Sequence, residues 1–236
     1  MGRHTWLEFR AIAYPPEAAE KESQRDFIYR AHRSVGLRLA FLFYQLGFTG
    51  NLVSVLRMVM SVVGAILMLR LPAGELWLSF FGATLIYGQV ILDFSDGALG
   101  RLTPGTPELL GFQFDILGCD VGRIAMLAIV GSYAGSMGAM LLAVGSAYVL
   151  ATFRNAISSM APRTAAFDAL KWVTRWLTSD QFMVVLLPFI VIGVRILSES
   201  LLMQFAIVLV TANTILAMAW TLGMAPVRRG DETMSG

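Results

Sequence analysis

The chain has little charge and almost no cysteine or histidine. Only 14% of its 236 residues are Asp, Glu, Lys or Arg, whereas a typical soluble domain has about 25%. The single cysteine, Cys119, excludes a disulfide framework within the chain. The two histidines lie in the polar N-terminal region and show no metal-binding spacing. The net charge of +2 is too small to favour a nucleic-acid partner.

Apolar residues are abundant instead. They make up 56% of the chain, and the mean hydropathy is +0.67. Apolar runs of about 20 residues recur, and each is long enough to cross roughly 30 Å of hydrocarbon. This pattern predicts an all-α integral membrane protein with six transmembrane helices. The predicted spans are residues 51–71, 76–96, 109–132, 137–153, 182–197 and 201–223.

The segments outside the spans predict the remaining organisation. Residues 17–48 begin charged and end apolar, which is typical of an amphipathic helix on the membrane surface. The polar N-terminus has no early apolar core, so we expect no cleavable signal peptide. The predicted parts are an N-terminal segment over residues 1–48, a six-helix transmembrane domain over 49–225 and a tail over 226–236.

Lys and Arg residues predict the orientation of the spans. Six spans place both termini and the second and fourth loops on one side of the membrane. Seven basic residues before Asn51 belong to that side, and the others there are Arg101, Arg154, Arg163, Lys171, Arg175, Arg228 and Arg229. Because cytoplasmic loops carry an excess of Lys and Arg, we expect a multi-pass protein with both termini in the cytoplasm.

Three aspartates fall at the predicted cytoplasmic ends of spans two and three. Asp93 and Asp96 are three residues apart, hence on one helical face, and Asp115 lies about one turn inside the third span. Clustered carboxylates repel one another in a partly dry site, and a divalent cation removes that cost. Oxygen ligands alone suit Mg²⁺ or Mn²⁺, and ligands on two helices predict a two-metal site.

Glycines and an arginine accompany these acids. Gly97 and Gly111 would let a ligand approach the backbone closely. Arg101 follows within the same loop, and a guanidinium is well shaped to bind phosphate. The pattern therefore predicts a metal–phosphate site that opens to the cytoplasm.

The same residues resemble a known signature. The pattern D-x2-D-G-x2-A-R, 8 to 12 residues, G-x3-D-x3-D is typical of CDP-alcohol phosphotransferases, the membrane enzymes of phospholipid synthesis. The residues that match it are Asp93, Asp96, Gly97, Arg101, Gly111 and Asp115, with Gly100 in place of the usual alanine. Upstream, Asn51, Ser54 and Arg57 match the N-x2-T-x2-R spacing with which many members begin their first span.

The resemblance implies a reaction. Members of this family transfer a phosphatidyl or substituted phosphate group from a CDP-linked donor to an alcohol hydroxyl and release CMP. The compact size and the first-span pattern look more like enzymes that use CDP-diacylglycerol. The family likeness also implies a homodimer in the lipid bilayer, with its active site at the cytoplasmic face.

The resemblance also implies residue roles. Asp93, Asp96 and Asp115 would hold the metal, and Gly97 and Gly111 would leave room for the nucleotide. Arg101 would contact the donor phosphate, and Asn51, Ser54 and Arg57 would line the same cavity. A second basic group would bind a phosphate-bearing acceptor or anionic lipid head groups. Its members are Arg154, Arg163, Lys171 and Arg175.

One position departs from the signature. Its last aspartate would be residue 119, where this chain has Cys119, with Asp120 next. The family's last aspartate is commonly assigned as the general base. Three alternatives remain open: a π-bulge that turns Asp120 inward, a pair between Asp120 and Arg123 or Arg57 with a weaker base or water, and a member that binds ligand without turnover.

Plainer interpretations compete with these roles. Asn51 has the chemistry of a helix N-cap, and Arg57 could serve only to neutralise an aspartate. Gly118 and Gly122, four residues apart, are typical of helix packing. For the whole chain, the competing functions are a non-catalytic binder of lipid head groups or nucleotide, and a transporter with an intramembrane carboxylate site.

Overall fold

The computed structural model describes residues 4–23, 27–102, 108–159, 165–177, 179 and 181–223. Over these ranges the chain forms helices joined by short turns, with no strand, so the all-α prediction is confirmed. In chain order the helices are α1 (Trp6–Ala13), α2 (Pro16–Ser23), α3 (Phe27–Gln45), α4 (Gly50–Met68), α5 (Leu76–Gly100), α6 (Glu108–Tyr133), α7 (Met137–Ser159), α8 (Ala165–Leu177), a π-helix (Gln181–Leu186), α9 (Leu187–Leu197) and α10 (Glu199–Gly223).

Within the described ranges, three helices are long and apolar enough to cross a membrane. They are α4, α5 and the Glu199–Thr221 part of α10. Two shorter apolar stretches, Met137–Leu150 and Phe182–Leu197, coincide with the predicted fourth and fifth spans. The predicted third span coincides with α6. All six predicted apolar segments are therefore helical, and a membrane protein is the class that these helices support.

Helix α4 carries apolar residues outside and polar residues inside. Val55, Val59 and Ile66 are 41%, 50% and 58% exposed, whereas Arg57 and Ser61 are buried. In water this would leave a long apolar face unprotected, which monomeric soluble proteins rarely do. The distribution is the one expected of a helix that faces lipid on one side and a polar interior on the other.

The N-terminal region differs from its prediction. In place of one amphipathic helix within residues 17–48, the described residues there belong to two helices, α2 and α3, and α1 precedes them. Helix α1 begins with a capping box, in which the Thr5 hydroxyl accepts from the Glu8 amide and the Glu8 carboxylate accepts from the Thr5 amide. Helix α2 begins at Pro16, a position where the missing amide hydrogen costs nothing. These local start signals divide the segment.

Helix α3 packs tightly on the second half of α5. A Cβ on Gly36 would lie 2.5 Å from the Cβ of Phe94, so only glycine permits this approach. The Ser95 hydroxyl donates to the Gly36 carbonyl at 2.8 Å, and the His32 Nε2 lies 2.6 Å from the Tyr87 hydroxyl. The N-terminal region is thus held against the part of α5 that carries Asp93 and Asp96.

Helices α4 and α5 form an antiparallel hairpin. Near one end, a Cβ on Gly50 would lie 2.9 Å from the Asp96 carbonyl oxygen, and further along, a Cβ on Gly64 would lie 2.7 Å from the Gly82 carbonyl oxygen. The two backbones therefore approach closely along their length. Helix α5 ends at Gly100, four residues beyond the predicted boundary, so Gly97 is helical and does not belong to the following loop.

Candidate functional site on helices α4 and α5

Four polar side chains from α4 and α5 form what we call the carboxylate cluster: Ser54, Arg57, Asp93 and Asp96. The Arg57 guanidinium donates to Asp93 Oδ1, and its Nη1 lies 3.4 Å from Asp96 Oδ2. The Ser54 hydroxyl donates to the same Asp96 oxygen at 2.7 Å. Arg57 is 1% exposed and Asp96 is 7% exposed, whereas the Asp93 side chain is 36% exposed, so the cluster lies inside the helix bundle with Asp93 at its open edge.

The spacing within each helix positions these groups. Ser54 and Arg57 are three residues apart on α4, and Asp93 and Asp96 are three apart on α5, so each pair shares one helical face. The close approach of the two backbones then brings the faces together. The result is that Arg57 contacts both carboxylates and offsets their mutual repulsion.

A second polar layer lies next to the cluster. The buried Ser61 hydroxyl donates to Gln89 Oε1, and it also contacts the Arg57 carbonyl at 3.0 Å. The sequence interpretation missed both residues. A signal was available, because Gln89 lies four residues before Asp93 and Ser61 lies four residues after Arg57, each on the same face as its charged neighbour.

Helix α6 closes the cluster with glycines. A Cβ on Gly118 would clash with the Arg57 guanidinium, and a Cβ on Gly122 would clash with the Gln89 amide. The packing interpretation of these two glycines is confirmed, but what packs on them is the polar interior. The missing side chains make room for the arginine and the glutamine.

Asp120 is not turned inward by a π-bulge, which was the first of the three alternatives for this residue. Helix α6 is α-helical from Glu108 to Tyr133, so the π-bulge is wrong. Asp120 accepts a hydrogen bond from Arg123 Nη1 at 2.9 Å. On an α-helix, Asp120 is about 200° around the axis from Gly118, which faces the cluster. The ion pair of the second alternative is present.

Arg101 lies at the end of α5 and contacts the N-terminal region. Its Nη1 donates to the Ala13 carbonyl at 3.0 Å, at the last residue of α1. Burial, followed by repulsion from nearby Arg33, lowers the pKa of Arg101. The guanidinium that the signature associates with phosphate is thus held between α5 and α1.

Two further predicted residues lie near the ends of α4 and α5. A Cβ on Gly97 would have no atom within 4 Å among the described residues. Asn51 is half-buried in the first turn of α4. The N-cap interpretation of Asn51 is wrong, because Thr49 is the N-cap and its hydroxyl accepts from the Leu52 amide at 3.3 Å.

Several predicted positions lie beyond what the structure describes. Gly111, Asp115 and Cys119 belong to α6 and Arg154 to α7, but their surroundings are outside the described part, as is the side chain of Arg175 on α8. Arg163 lies outside the described residues altogether, and Lys171 is half-buried on α8. The second basic group therefore stays a prediction.

The donor chemistry of the cluster suits a hard cation. Asp93 and Asp96 supply only carboxylate oxygens, the ligands that Mg²⁺ and Mn²⁺ prefer. Among the residues that the structure describes, no group of three or more His, Cys, Asp or Glu side chains is close enough to hold a metal ion. The side chain of the third predicted ligand, Asp115, lies outside the described part of the structure.

Compared with known proteins, the chain matches no family model and no curated protein. The resemblance to CDP-alcohol phosphotransferases therefore stays a prediction from the residues of the two sequence motifs.

Proposed function

We propose that the chain is a CDP-alcohol phosphotransferase of the membrane. It would transfer a substituted phosphate from a CDP-linked donor, CDP-diacylglycerol in our proposal, to an alcohol hydroxyl with release of CMP. The observation that carries the proposal is the carboxylate cluster. Ser54 and Arg57 from one motif contact Asp93 and Asp96 from the other, although 36 residues separate Arg57 from Asp93.

The proposal includes a metal held by carboxylates. Asp93, Asp96 and Asp115 would bind Mg²⁺ or Mn²⁺, as two ions, and the bound metal would supply charge neutralisation for the donor diphosphate. Asp115 precedes Gly118 by three residues, a spacing that puts both positions on one face of α6. Gly118 lies against the Arg57 guanidinium.

The protein's own groups would bind and orient the donor. Ser54 fixes one oxygen of Asp96, and Arg57 holds the two carboxylates side by side. Gly97 would leave room for the nucleotide, with Gly111 and Asn51 near it. Arg101, which joins the end of α5 to α1, would place its charge beside the donor phosphate.

The pairing of Asp120 with Arg123 bears on the proton transfer. A general base must come within hydrogen-bond reach of the acceptor hydroxyl, and Asp120 already accepts from Arg123. This favours the alternative in which the acceptor proton passes to a weaker base or to water. In that case Asp120 would be a positioning residue of α6, with Asp115 nearer the reacting groups.

The setting of the enzyme is part of the same proposal. Six membrane crossings, cytoplasmic termini, a cytoplasmic active site and a homodimer would follow from the family likeness. The basic group of Arg154, Arg163, Lys171 and Arg175 would then face a phosphate-bearing acceptor or anionic head groups.

An assay of CMP release tests the proposal. Purified protein is incubated with CDP-diacylglycerol, Mn²⁺ and a panel of alcohols, and lipid products are identified by mass. We expect CMP release with at least one alcohol, and Asp96→Asn should reduce it to below about one hundredth. Asp168→Asn is the matched control, because Asp168 is exposed on α8 and has no proposed role. No CMP with any alcohol, or equal rates for both variants, would contradict the proposal.

A second candidate is a binder without turnover. The observation that favours it is the engagement of Asp120 with Arg123, combined with Cys119 at the position of the signature's last aspartate. The same assay separates the two. If the native chain releases no CMP and Cys119→Asp does, the chain is a non-catalytic member.

A further inference from the structure

A basic cavity lies in the N-terminal region, away from the buried carboxylate cluster. It has a volume of roughly 610 Å³ and is formed by α1, α2 and α3. We call it the N-terminal cavity; its charged lining residues are Arg10, Arg30, Arg33, Arg38 and Glu22. Among the lining residues that the structure describes, four arginines against one glutamate leave three positive charges in excess.

One of these arginines is built into the wall. Arg33 is 7% exposed, its Nε lies 3.3 Å from a Glu22 oxygen, and its guanidinium lies 5.0 Å from the centre of the Tyr14 ring. On its other side it lies 5.5 Å from the Phe94 ring centre. Glu22 is occupied by this pair and by the Tyr29 hydroxyl at 3.3 Å. The charge of Glu22, the one acidic side chain among the described lining residues, is therefore already paired within the wall.

The other three arginines are exposed. Within the part of the chain that the structure describes, Arg10, Arg30 and Arg38 form no ion pair and no side-chain hydrogen bond. Arg30 and Arg38 are eight residues apart on α3, about two turns, so they lie on one side of that helix. Guanidinium groups offer donors in a planar fork that matches the oxygens of a phosphate.

Apolar and aromatic groups complete the cavity. Trp6, Leu37 and Phe41 belong to the lining, and the Trp6 ring lies edge-on to Phe41 at 5.3 Å between centres. A wall that is cationic in one part and aromatic in another suits an anion with an apolar body.

We propose that the N-terminal cavity binds a phosphate ester, with the phosphate at Arg30, Arg33 and Arg38 and any apolar body against Trp6 and Phe41. An anionic phospholipid and a soluble phosphate ester share this chemistry. The proposal does not depend on the transferase activity, because none of these residues belongs to the carboxylate cluster.

The test uses the full chain, purified and delipidated in a neutral detergent. In one arm, sodium phosphate is titrated into the protein in a calorimeter, and sodium chloride of equal ionic strength serves as the control. In the other, micelles are doped with phosphatidylglycerol or phosphatidylcholine, and the lipid retained after washing is counted. Binding of phosphate identifies a soluble ester as sufficient, and retention of phosphatidylglycerol without phosphate binding identifies a lipid.

Single arginine variants decide whether the cavity is responsible. Arg30→Gln and Arg38→Gln should each weaken the observed binding about fivefold, and together more than tenfold. Arg70→Gln is the matched control, because Arg70 is an exposed arginine beyond the other end of α4. The thermal midpoint of unfolding should be the same in all these variants as in the native chain, because the side chains of Arg30, Arg38 and Arg70 are exposed. The proposal is overturned if the native chain binds phosphate no better than chloride and retains phosphatidylglycerol no better than phosphatidylcholine. It is also overturned if Arg70→Gln weakens binding as much as Arg30→Gln and Arg38→Gln do.

Discussion

The carboxylate cluster and the N-terminal cavity both collect charged side chains, but they satisfy them differently. In the cluster, Arg57 contacts two aspartates from the neighbouring helix, and each charge has a partner a few ångströms away. In the cavity, Arg30 and Arg38 face open space. Burial explains the difference, because a charge removed from water is stable only when it is paired and hydrogen-bonded.

The comparison also shows what glycine does in this fold. Gly118 on α6 allows the Arg57 guanidinium to fit between helices, and Gly36 on α3 brings the N-terminal region against α5. Inside the bundle, Gly118 leaves the space that the Arg57 guanidinium occupies. In the N-terminal region Gly36 fixes where α3 docks, and of the cavity arginines Arg33 lies beside that contact whereas Arg30 and Arg38 are exposed.

The largest expected effect comes from removing the buried cation. Arg57→Met leaves Asp93 and Asp96 facing each other without a positive charge. Breaking a buried ion pair in this way typically costs about 3–5 kcal/mol, so the free energy of unfolding in detergent should fall by that amount. A chelator is present throughout, so that no divalent cation replaces the guanidinium.

The control is an arginine of the cavity. Arg38→Gln removes one exposed charge, and surface substitutions of this kind change stability by less than about 0.5 kcal/mol. Similar losses for Arg57→Met and Arg38→Gln would mean that the two regions do not differ in how they hold charge.

A smaller effect is expected at the glycine of α6. Gly118→Ala places a methyl group against the Arg57 guanidinium, and overpacking of this kind costs about 1–3 kcal/mol. CMP release should fall as well, because Arg57 would be displaced from the two carboxylates. Denaturant unfolding and the CMP assay measure the two consequences separately.

Gly193→Ala is the matched substitution. A Cβ there meets no atom within 4 Å in the described structure, and alanine is the better helix former by about 1 kcal/mol. Its stability should therefore stay the same or rise, with CMP release unchanged. If both alanine variants behave alike, the close contact between Gly118 and Arg57 is not part of the fold.

The smallest effect concerns the wall of the N-terminal cavity. Thr5→Ala removes the N-cap of α1, which carries Trp6 and Arg10, and loss of such a cap typically costs about 1 kcal/mol. The cost should appear as faster amide hydrogen exchange in α1, with little change in the helices of the bundle.

The same cap predicts a dependence on pH. Hydrogen bonds from the Thr5 amide and hydroxyl lower the pKa of Glu8. Because the folded pKa is lowered, the stabilisation of α1 is present above the ordinary pKa of a glutamate and is lost as the pH falls through the lowered value. The protection of the α1 amides, measured relative to their intrinsic exchange rate at each pH, should thus fall in acid for the native chain, and Thr5→Ala should remove most of that dependence. An equal loss of protection in the variant would exclude Glu8 as the cause.

The helices were largely predictable from the sequence. Long apolar runs predicted the six bundle segments, and the spacing of Ser54 to Arg57 and of Asp93 to Asp96 predicted which residues share a face. These are local properties, set by hydrophobic length and by 3.6 residues per turn. The division of the N-terminal segment was missed, although Thr5, Glu8 and Pro16 are recognisable start signals.

The partners of the charged residues were not predictable in the same way. Arg101 contacts Ala13, 88 residues earlier, and Arg57 contacts residues 36 and 39 positions later. Asp120 pairs with Arg123 of its own helix, and the motif residues did not predict whether Asp120 would form this pair or turn inward.

The sequence by itself determined that this is a helical, membrane-type chain with two motifs whose polar residues lie on single helix faces. The tertiary structure alone decided that the two motifs share one buried cluster and that four arginines surround a cavity. The physical reason is that helix periodicity depends on neighbours a few residues away. The choice of ionic partner instead depends on which helices approach closely enough to exclude water.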